Sequence, residues 1–158
     1  GIIKLSRARR NPLIVIAVAW MIVSAAITFP FYLSYFHVLA GGTEGGWQYV
    51  VDSNYDWGQD LKRLATWAEE HRVGRLYLDY FGGGDPRYYL GNGYEPWNSA
   101  KGALPSGNYF AISATLRQGA FGKPASGFEQ KSEDSYLWLR DLKPISRAGT
   151  SIFIYRIP

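Results

Sequence analysis

The chain has 158 residues, which is enough for one folded domain with a short extension. It contains no cysteine and two histidines, so disulfides and thiolate metal sites are excluded and a multi-histidine zinc site is not expected. The formal net charge of +4 comes from four basic residues before Asn11, because the remaining Lys and Arg residues equal the 13 Asp and Glu residues in number. A nucleic-acid-binding domain carries its basic residues on the folded part, so we expect no nucleic-acid partner. Because residue 1 is Gly, we expect a fragment or a processed product.

Residues 12–36 predict a transmembrane helix, because no Asp, Glu, Lys or Arg interrupts this part of the chain. The apolar run is long enough for a hydrocarbon layer of ~30 Å at ~1.5 Å per residue. The basic flank, residues 1–11, favours the cytoplasmic side, which predicts a protein of the bacterial inner (plasma) membrane with an extracytoplasmic domain. A secretory signal peptide and a buried core helix are the alternatives.

A glycine-rich joint over residues 37–46 leads to a predicted soluble domain over residues 47–158. The first helix of this domain is predicted from about Trp57 to His71, because apolar residues recur there at helical spacing. Asp56 and Gln59 have the spacing of a capping box, and Gly74 is expected to end the helix.

Further helices and strands alternate in the second half of the chain. Strands are predicted at residues 76–81 and 108–116, and helices at residues 86–90 and 132–142. A terminal hairpin is predicted at residues 145–157. This alternation predicts an α/β domain of about four strands, and the hairpin makes the sheet mixed. The expected fold is therefore one N-terminal transmembrane helix followed by a small mixed-sheet α/β domain.

Residues 50–64 are dense in polar side chains and either start a helix or form a site. The candidate contact residues are Asp52, Asn54, Asp56, Trp57, Gln59 and Asp60. The alternating acids and amide are similar to a calcium loop, but the turn glycine is displaced by one residue and Arg63 stands where the last ligand, Glu, belongs. We therefore predict that these residues cap the helix and bond turn amides, with Trp57 in the core. No metal or other cofactor is predicted, and a bound divalent cation is the alternative.

There are two further candidate contact residues: Asp85 directly precedes the predicted helix at residues 86–90, and Tyr88 lies within it. A glycine triplet, residues 82–84, precedes this helix; a phosphate cradle is one interpretation, and a plain turn is favoured because the Walker lysine is missing. Asp79, Asp85 and Glu95 are candidates for paired carboxylates, but nothing in the sequence sets their separation. We predict no catalytic residue in this chain.

Residues 52–62, DSNYDWGQDLK, resemble a block in the C-terminal region of bacterial multi-spanning glycosyltransferases. These enzymes form the protein-mannosyltransferase-like group (family 39) of type C membrane glycosyltransferases. Shorter similar pieces extend the resemblance over nearly all of the chain after Phe29. The pair at residues 37–38 departs from the family's pattern, as does Tyr55, where the family has Leu.

The resemblance implies transfer of a sugar from a polyprenyl-phosphate donor by a catalytic aspartate in a loop that this chain does not contain. We therefore expect an accessory C-terminal piece of such an enzyme, inactive alone. The expected partners are the membrane, the remaining transmembrane part of the same enzyme, and a lipid-linked sugar or glycan acceptor. The alternative is a membrane-anchored module that binds carbohydrate or cell-envelope material, and a secreted hydrolytic domain is a third hypothesis.

Overall fold

The computed structural model describes residues 12–51, 54–122, 126–127 and 136–158. One sheet contains five strands: β1 Leu76–Asp79, β2 Tyr94–Pro96, β3 Tyr109–Ser113, β4 Ser146–Ala148 and β5 Ile152–Arg156. The α-helices of the described part are α1 Pro12–Thr28, α2 Gly42–Gly45, α3 Leu61–Glu70, α4 Pro86–Leu90 and α5 Ala114–Phe121.

The sheet is mixed, with the strand order β2-β1-β3-β5-β4. Strand β1 pairs in parallel with β2 and β3, whereas β5 pairs antiparallel with β3 and β4. About four strands were expected from the sequence, and β2 lies where no strand was predicted. Strand β2 has three residues and ends in Pro96, which suits the edge of a sheet because proline has no N–H to donate.

Two hydrophobic clusters lie on opposite faces of the sheet. Strand β5 shows why, because Phe153 and Tyr155 face one cluster whereas Ile152 and Ile154 face the other. Helix α3 covers the second cluster with its buried residues Leu61, Leu64, Trp67 and Ala68. Each fully buried Leu, Ile or Phe side chain contributes about 1.5–3 kcal/mol, so the sheet is a firm base for the loops at its edges.

Helix α3 begins four residues later than predicted, at Leu61. The predicted helical start is a turn instead, because Gly58 has a left-handed φ of 72°. Trp57 is consequently 57% exposed, so its predicted place in the core is wrong.

Two other elements differ from the prediction. Helix α5 follows β3 directly and begins at Ala114, inside the strand that was predicted at residues 108–116. The helix predicted at residues 132–142 lies partly outside the described residues, and within them Leu137–Leu139 forms a short 3-10 helix.

The N-terminal helix α1 is shorter than the predicted membrane span, at 17 residues. It ends at Thr28 because Pro30 disfavours the helical conformation at Phe29. Among the described residues, no helix has the length and hydropathy needed to cross a membrane. The predicted transmembrane helix over residues 12–36 is therefore wrong. The predicted membrane location, with the two ends of that helix on opposite sides, depended on the helix and is contradicted by the same finding.

Candidate functional site

Asp60, the residue before α3, is a fully buried carboxylate. Its Oδ2 accepts hydrogen bonds from the backbone N–H groups of Thr150 and Ser151, both at 2.9 Å, and from the Ser151 hydroxyl at 2.9 Å. Its Oδ1 accepts a hydrogen bond from Arg63 at 2.7 Å. Thr150 and Ser151 belong to the turn between β4 and β5, so Asp60 ties the start of α3 to the terminal hairpin.

Asp56 is likewise fully buried and bonds two backbone amides. Its carboxylate accepts from the N–H of Gly58 at 3.1 Å and from the N–H of Thr115, in the first turn of α5, at 3.2 Å. Burial raises the pKa of Asp56 above its ordinary value, although both amide hydrogen bonds act in the opposite direction. Asp56 thus caps α5, and the capping box predicted for Asp56 and Gln59 at α3 does not form.

Gln59 and Tyr55 connect the same loop to neighbouring segments. The Gln59 side chain accepts from the N–H of Trp57 at 2.8 Å and donates to the Ser34 hydroxyl at 2.9 Å. The buried Tyr55 hydroxyl donates to the carbonyl of Thr150 at 3.1 Å. The polar side chains of Tyr55, Asp56, Gln59 and Asp60 therefore form hydrogen bonds within the protein, which supports a structural role for this loop.

The remaining candidate residues of the loop that the structure describes do not form a binding site with Asp56 and Asp60. Asn54 and Trp57 are exposed, and Asp52 lies outside the described residues. Within the described ranges, no group of three or more His, Asp or Glu side chains is placed to hold a metal ion.

The downstream carboxylates have separate local partners. Asp85 caps α4, since its Oδ1 accepts a hydrogen bond from the N–H of Arg87 at 2.9 Å. Asp79, at the end of β1, accepts a hydrogen bond from the Tyr136 hydroxyl. Burial raises the pKa of Asp79, and burial together with the Asp79 carboxylate raises the pKa of Tyr136. The glycine triplet, residues 82–84, forms the turn between β1 and the five-residue α4.

A groove of about 670 Å³ lies between α3 and α4; we call it the α3–α4 groove. On the α4 side, Tyr88 is 81% exposed and Tyr89 is 42% exposed. Their ring centroids are 5.0 Å apart and the rings cross at 86°. The polar and charged side chains of the groove are Lys62, Thr66, Glu69 and Arg72. The volume is in the range of ligand pockets, about 300–1,000 Å³, and aromatic and charged groups meet in it.

Arg72 enters this groove from an unusual backbone conformation. The N–H of Val73 donates to the Ala68 carbonyl at 2.9 Å and the N–H of Arg72 donates to the Glu69 carbonyl at 3.0 Å, the two hydrogen bonds of a Schellman C-cap. This motif gives Arg72 a left-handed φ of 53°, at the position that glycine usually occupies. Among the described residues it is the one non-glycine residue with positive φ. Gly74, predicted to end the helix, lies two residues later.

A second cavity, of about 360 Å³, lies between α1 and the segment after it. Trp20, Ile27 and other apolar residues form most of its lining. Its polar side chains are partly engaged: the Thr28 hydroxyl donates to a carbonyl of α1, and Glu44 pairs with Arg147 at 2.9 Å. The lining of this cavity is thus mostly apolar, whereas the α3–α4 groove offers a ligand rich in hydroxyl groups the charged side chains of Lys62, Glu69 and Arg72.

Of the predicted contact residues that the structure describes, Tyr88 alone lines the α3–α4 groove. Asp85 caps the same helix, α4, and the others belong to the loop before α3 or lie outside the described part. Sequence reasoning missed Lys62, Arg72 and Tyr89. The adjacent pair of tyrosines was a usable signal, but its exposure depends on how α4 packs against α3, which no local pattern reveals.

Comparison of the chain with family models, with curated proteins and with solved structures gave no match. The resemblance to glycosyltransferases therefore stays a prediction. The α3–α4 groove is the feature from which a function can be inferred.

Proposed function

We propose that this chain is a non-catalytic saccharide-binding domain that works beside the catalytic part of a glycosyltransferase. The observation that carries the proposal is the α3–α4 groove, where the exposed Tyr88 and Tyr89 lie with four polar or charged side chains.

The groove combines the two kinds of contact that a sugar offers. A sugar ring has apolar C–H faces and hydroxyl groups around its edge, and a tyrosine has a flat apolar ring with a polar tip. Tyr88 is therefore suited to stack on a sugar ring. Lys62 and Arg72 supply hydrogen-bond donors and Glu69 supplies acceptors, so both functions of a hydroxyl group have partners.

The carboxylates support binding rather than hydrolysis. Glycoside hydrolysis normally uses two carboxyl groups that flank the bond to be broken. Glu69 is the one carboxylate among the described residues that line the groove. Asp79 and Asp85 are engaged by Tyr136 and by the N-terminus of α4, respectively.

The resemblance of residues 52–62 supports the glycosyltransferase part of the proposal. The described residues of this block, Asp56 and Asp60 above all, fasten α3 to α5 and to the β4–β5 turn. A block that folds the domain is consistent with an accessory role, in which the groove holds a glycan acceptor or the sugar of a polyprenyl-phosphate donor while another part of the enzyme performs the transfer.

A glycan array with the purified full chain, followed by calorimetry on the oligosaccharides that bind, tests the proposal. Loss of one stacking ring is expected to weaken binding about tenfold in Tyr88→Ala. Trp57→Ala is the matched control, because Trp57 is also an exposed aromatic but does not line the groove. Binding to no glycan, or sensitivity to Trp57→Ala with none to Tyr88→Ala, contradicts the proposal.

A further inference from the structure

The charges of the α3–α4 groove are not balanced by their neighbours. Lys62 and Arg72 are positive and Glu69 is negative, which leaves one excess positive charge along the groove. Neither cation forms an ion pair with a described residue. The ion pairs in the described part are Arg63–Asp60 and Arg147–Glu44. Two basic side chains are thus available to a ligand on the α3 side.

Their spacing indicates an extended ligand. Lys62 lies in the first turn of α3 and Arg72 follows its end, so their backbones are separated by about 15 Å along the helix axis. The exposed tyrosines of α4 border the same groove. A single sugar cannot contact both ends with its charged groups, whereas an oligosaccharide can.

The backbone of Arg72 is a second, independent indication. A glycine would satisfy the Schellman motif without strain, yet the position carries a long cationic side chain with φ 53°. Strained conformations of this kind are typical of ligand-contacting positions. The side chain of Arg72 is exposed and borders the groove, so packing of the core does not account for it.

We infer that the α3–α4 groove takes an acidic oligosaccharide, one that bears carboxylate or phosphate groups, with Arg72 and Lys62 as the residues that recognise the charge. This inference rests on the proposed function and narrows it. Arg72 pairs with an anionic group through its planar guanidinium, Lys62 contacts a second one near the start of α3, and Tyr88, on the α4 side, stacks on a sugar ring. Glu69 accepts hydrogen bonds from hydroxyl groups and disfavours a third anionic group beside it.

The test compares an oligogalacturonate with the same oligosaccharide after reduction of its carboxyl groups to neutral alcohols. The full chain is expected to bind the acidic form about tenfold more tightly, and added salt is expected to weaken only that binding. Arg72→Gly should remove most of this preference and Arg72→Lys should retain part of it. Glu69→Gln should strengthen binding of the acidic form, because a negative charge is removed, and should not strengthen binding of the neutral form.

Thermal unfolding of the same variants separates recognition from folding. Arg72→Gly should raise Tm because glycine relieves the left-handed strain, while Arg72→Ala removes the same charge without that relief and should not. A variant that is more stable and yet has lost the acidic preference cannot owe the loss to misfolding. A lower Tm for Arg72→Gly overturns the assignment of Arg72.

The outcomes distinguish the two proposals. Equal affinity for the acidic and the neutral oligosaccharide overturns the inference and leaves saccharide binding intact. Binding to neither form of any glycan on an array that carries uronate and phosphate groups overturns both. Equally tight binding of an oligoglutamate peptide in the groove overturns the assignment to an acidic saccharide, because charge alone then accounts for recognition.

Discussion

Asp60 is a buried acid whose surroundings explain why it stabilises the fold rather than forming a catalytic site. Its two oxygens accept hydrogen bonds from the β4–β5 turn and from Arg63, so no lone pair points to solvent. A segment rich in acids and amides is typical of both ligand sites and turn caps, and the sequence alone could not separate the two. Burial separates them, because Asp60 and Asp56 have no exposed surface.

Asp60→Ala is expected to lower the free energy of unfolding by about 3–5 kcal/mol, since it leaves buried N–H groups and Arg63 without an acceptor. Urea denaturation measures the change. Asp85→Ala is the matched control: this exposed acid caps a short helix, and its loss should cost about 1 kcal/mol. Similar losses for both variants would contradict the structural role assigned to Asp60.

Asp79 makes stability depend on pH in a defined direction. Burial raises its pKa in the folded protein above the ordinary value of 3.8, although the hydrogen bond from Tyr136 opposes this. The protonated form is thus favoured by folding, and its contribution to stability is present below pH 3.8 and is lost as the pH rises through the folded pKa. Asp56, also with a raised pKa, acts in the same direction.

Asp79→Asn should therefore raise the free energy of unfolding at neutral pH, because the amide keeps an acceptor for Tyr136 and carries no charge to desolvate. Its stability should also fall less steeply than that of the wild type as the pH is raised from acid to neutral. Urea denaturation over a series of pH values checks both points. The prediction fails if Asp79→Asn is less stable at neutral pH and equally pH-dependent.

At the scale of elements, Gly58 sets where α3 can begin. Its φ of 72° turns the chain before the helix, and it packs closely against the turn after β1. An added Cβ would lie 2.7 Å from the Cα of Gly82 and 2.8 Å from the carbonyl oxygen of Phe81. The loop before α3 and the turn after β1 can thus pack this closely because residue 58 has no side chain.

Gly58→Ala should destabilise the protein by about 2–4 kcal/mol, the sum of left-handed strain and overpacking. Gly83→Ala is the comparison, because a Cβ there meets nothing within 4 Å. Its effect should stay within about 0.5 kcal/mol. Thermal or urea denaturation of both variants gives the answer, and equal tolerance of the two substitutions would show that the close approach at Gly58 is not required.

The elements that were predicted correctly have local signals. The apolar spacing of Leu61, Leu64 and Ala68 indicates α3, and short apolar runs indicate β1, β3 and the terminal hairpin. Helix α5 lacked such a signal because its sequence, ATLRQGAF, has no continuous apolar stripe and is capped by Asp56, which is distant in the sequence. The start of α3 was placed too early because Trp57 matches the helical spacing of the apolar residues. The chain turns at Gly58, so Trp57 lies before the helix.

At the scale of the whole molecule, the alternation of predicted helices and strands indicated a mixed-sheet α/β domain, but the length of the first helix was predicted wrongly. Hydropathy suggested a longer span than the structure forms, because Pro30 stops the helix inside the apolar run. The α3–α4 groove was also beyond sequence reasoning. It arises where two helices separated in the chain approach each other, so that Tyr88 lines the same groove as Lys62 and Arg72.

The central claim is that the α3–α4 groove binds a saccharide, and NMR titrations of the isotope-labelled full chain with the oligogalacturonate and with its reduced, neutral form test it most directly. We expect saturable shifts of backbone signals that cluster on the residues lining the groove, with Thr66, Val73 and Tyr88 among them. In Tyr88→Ala the same signals should need about tenfold more ligand to reach half of their maximal shift. The absence of saturable shifts with both forms, or shifts confined to the cavity beside α1, would contradict the account.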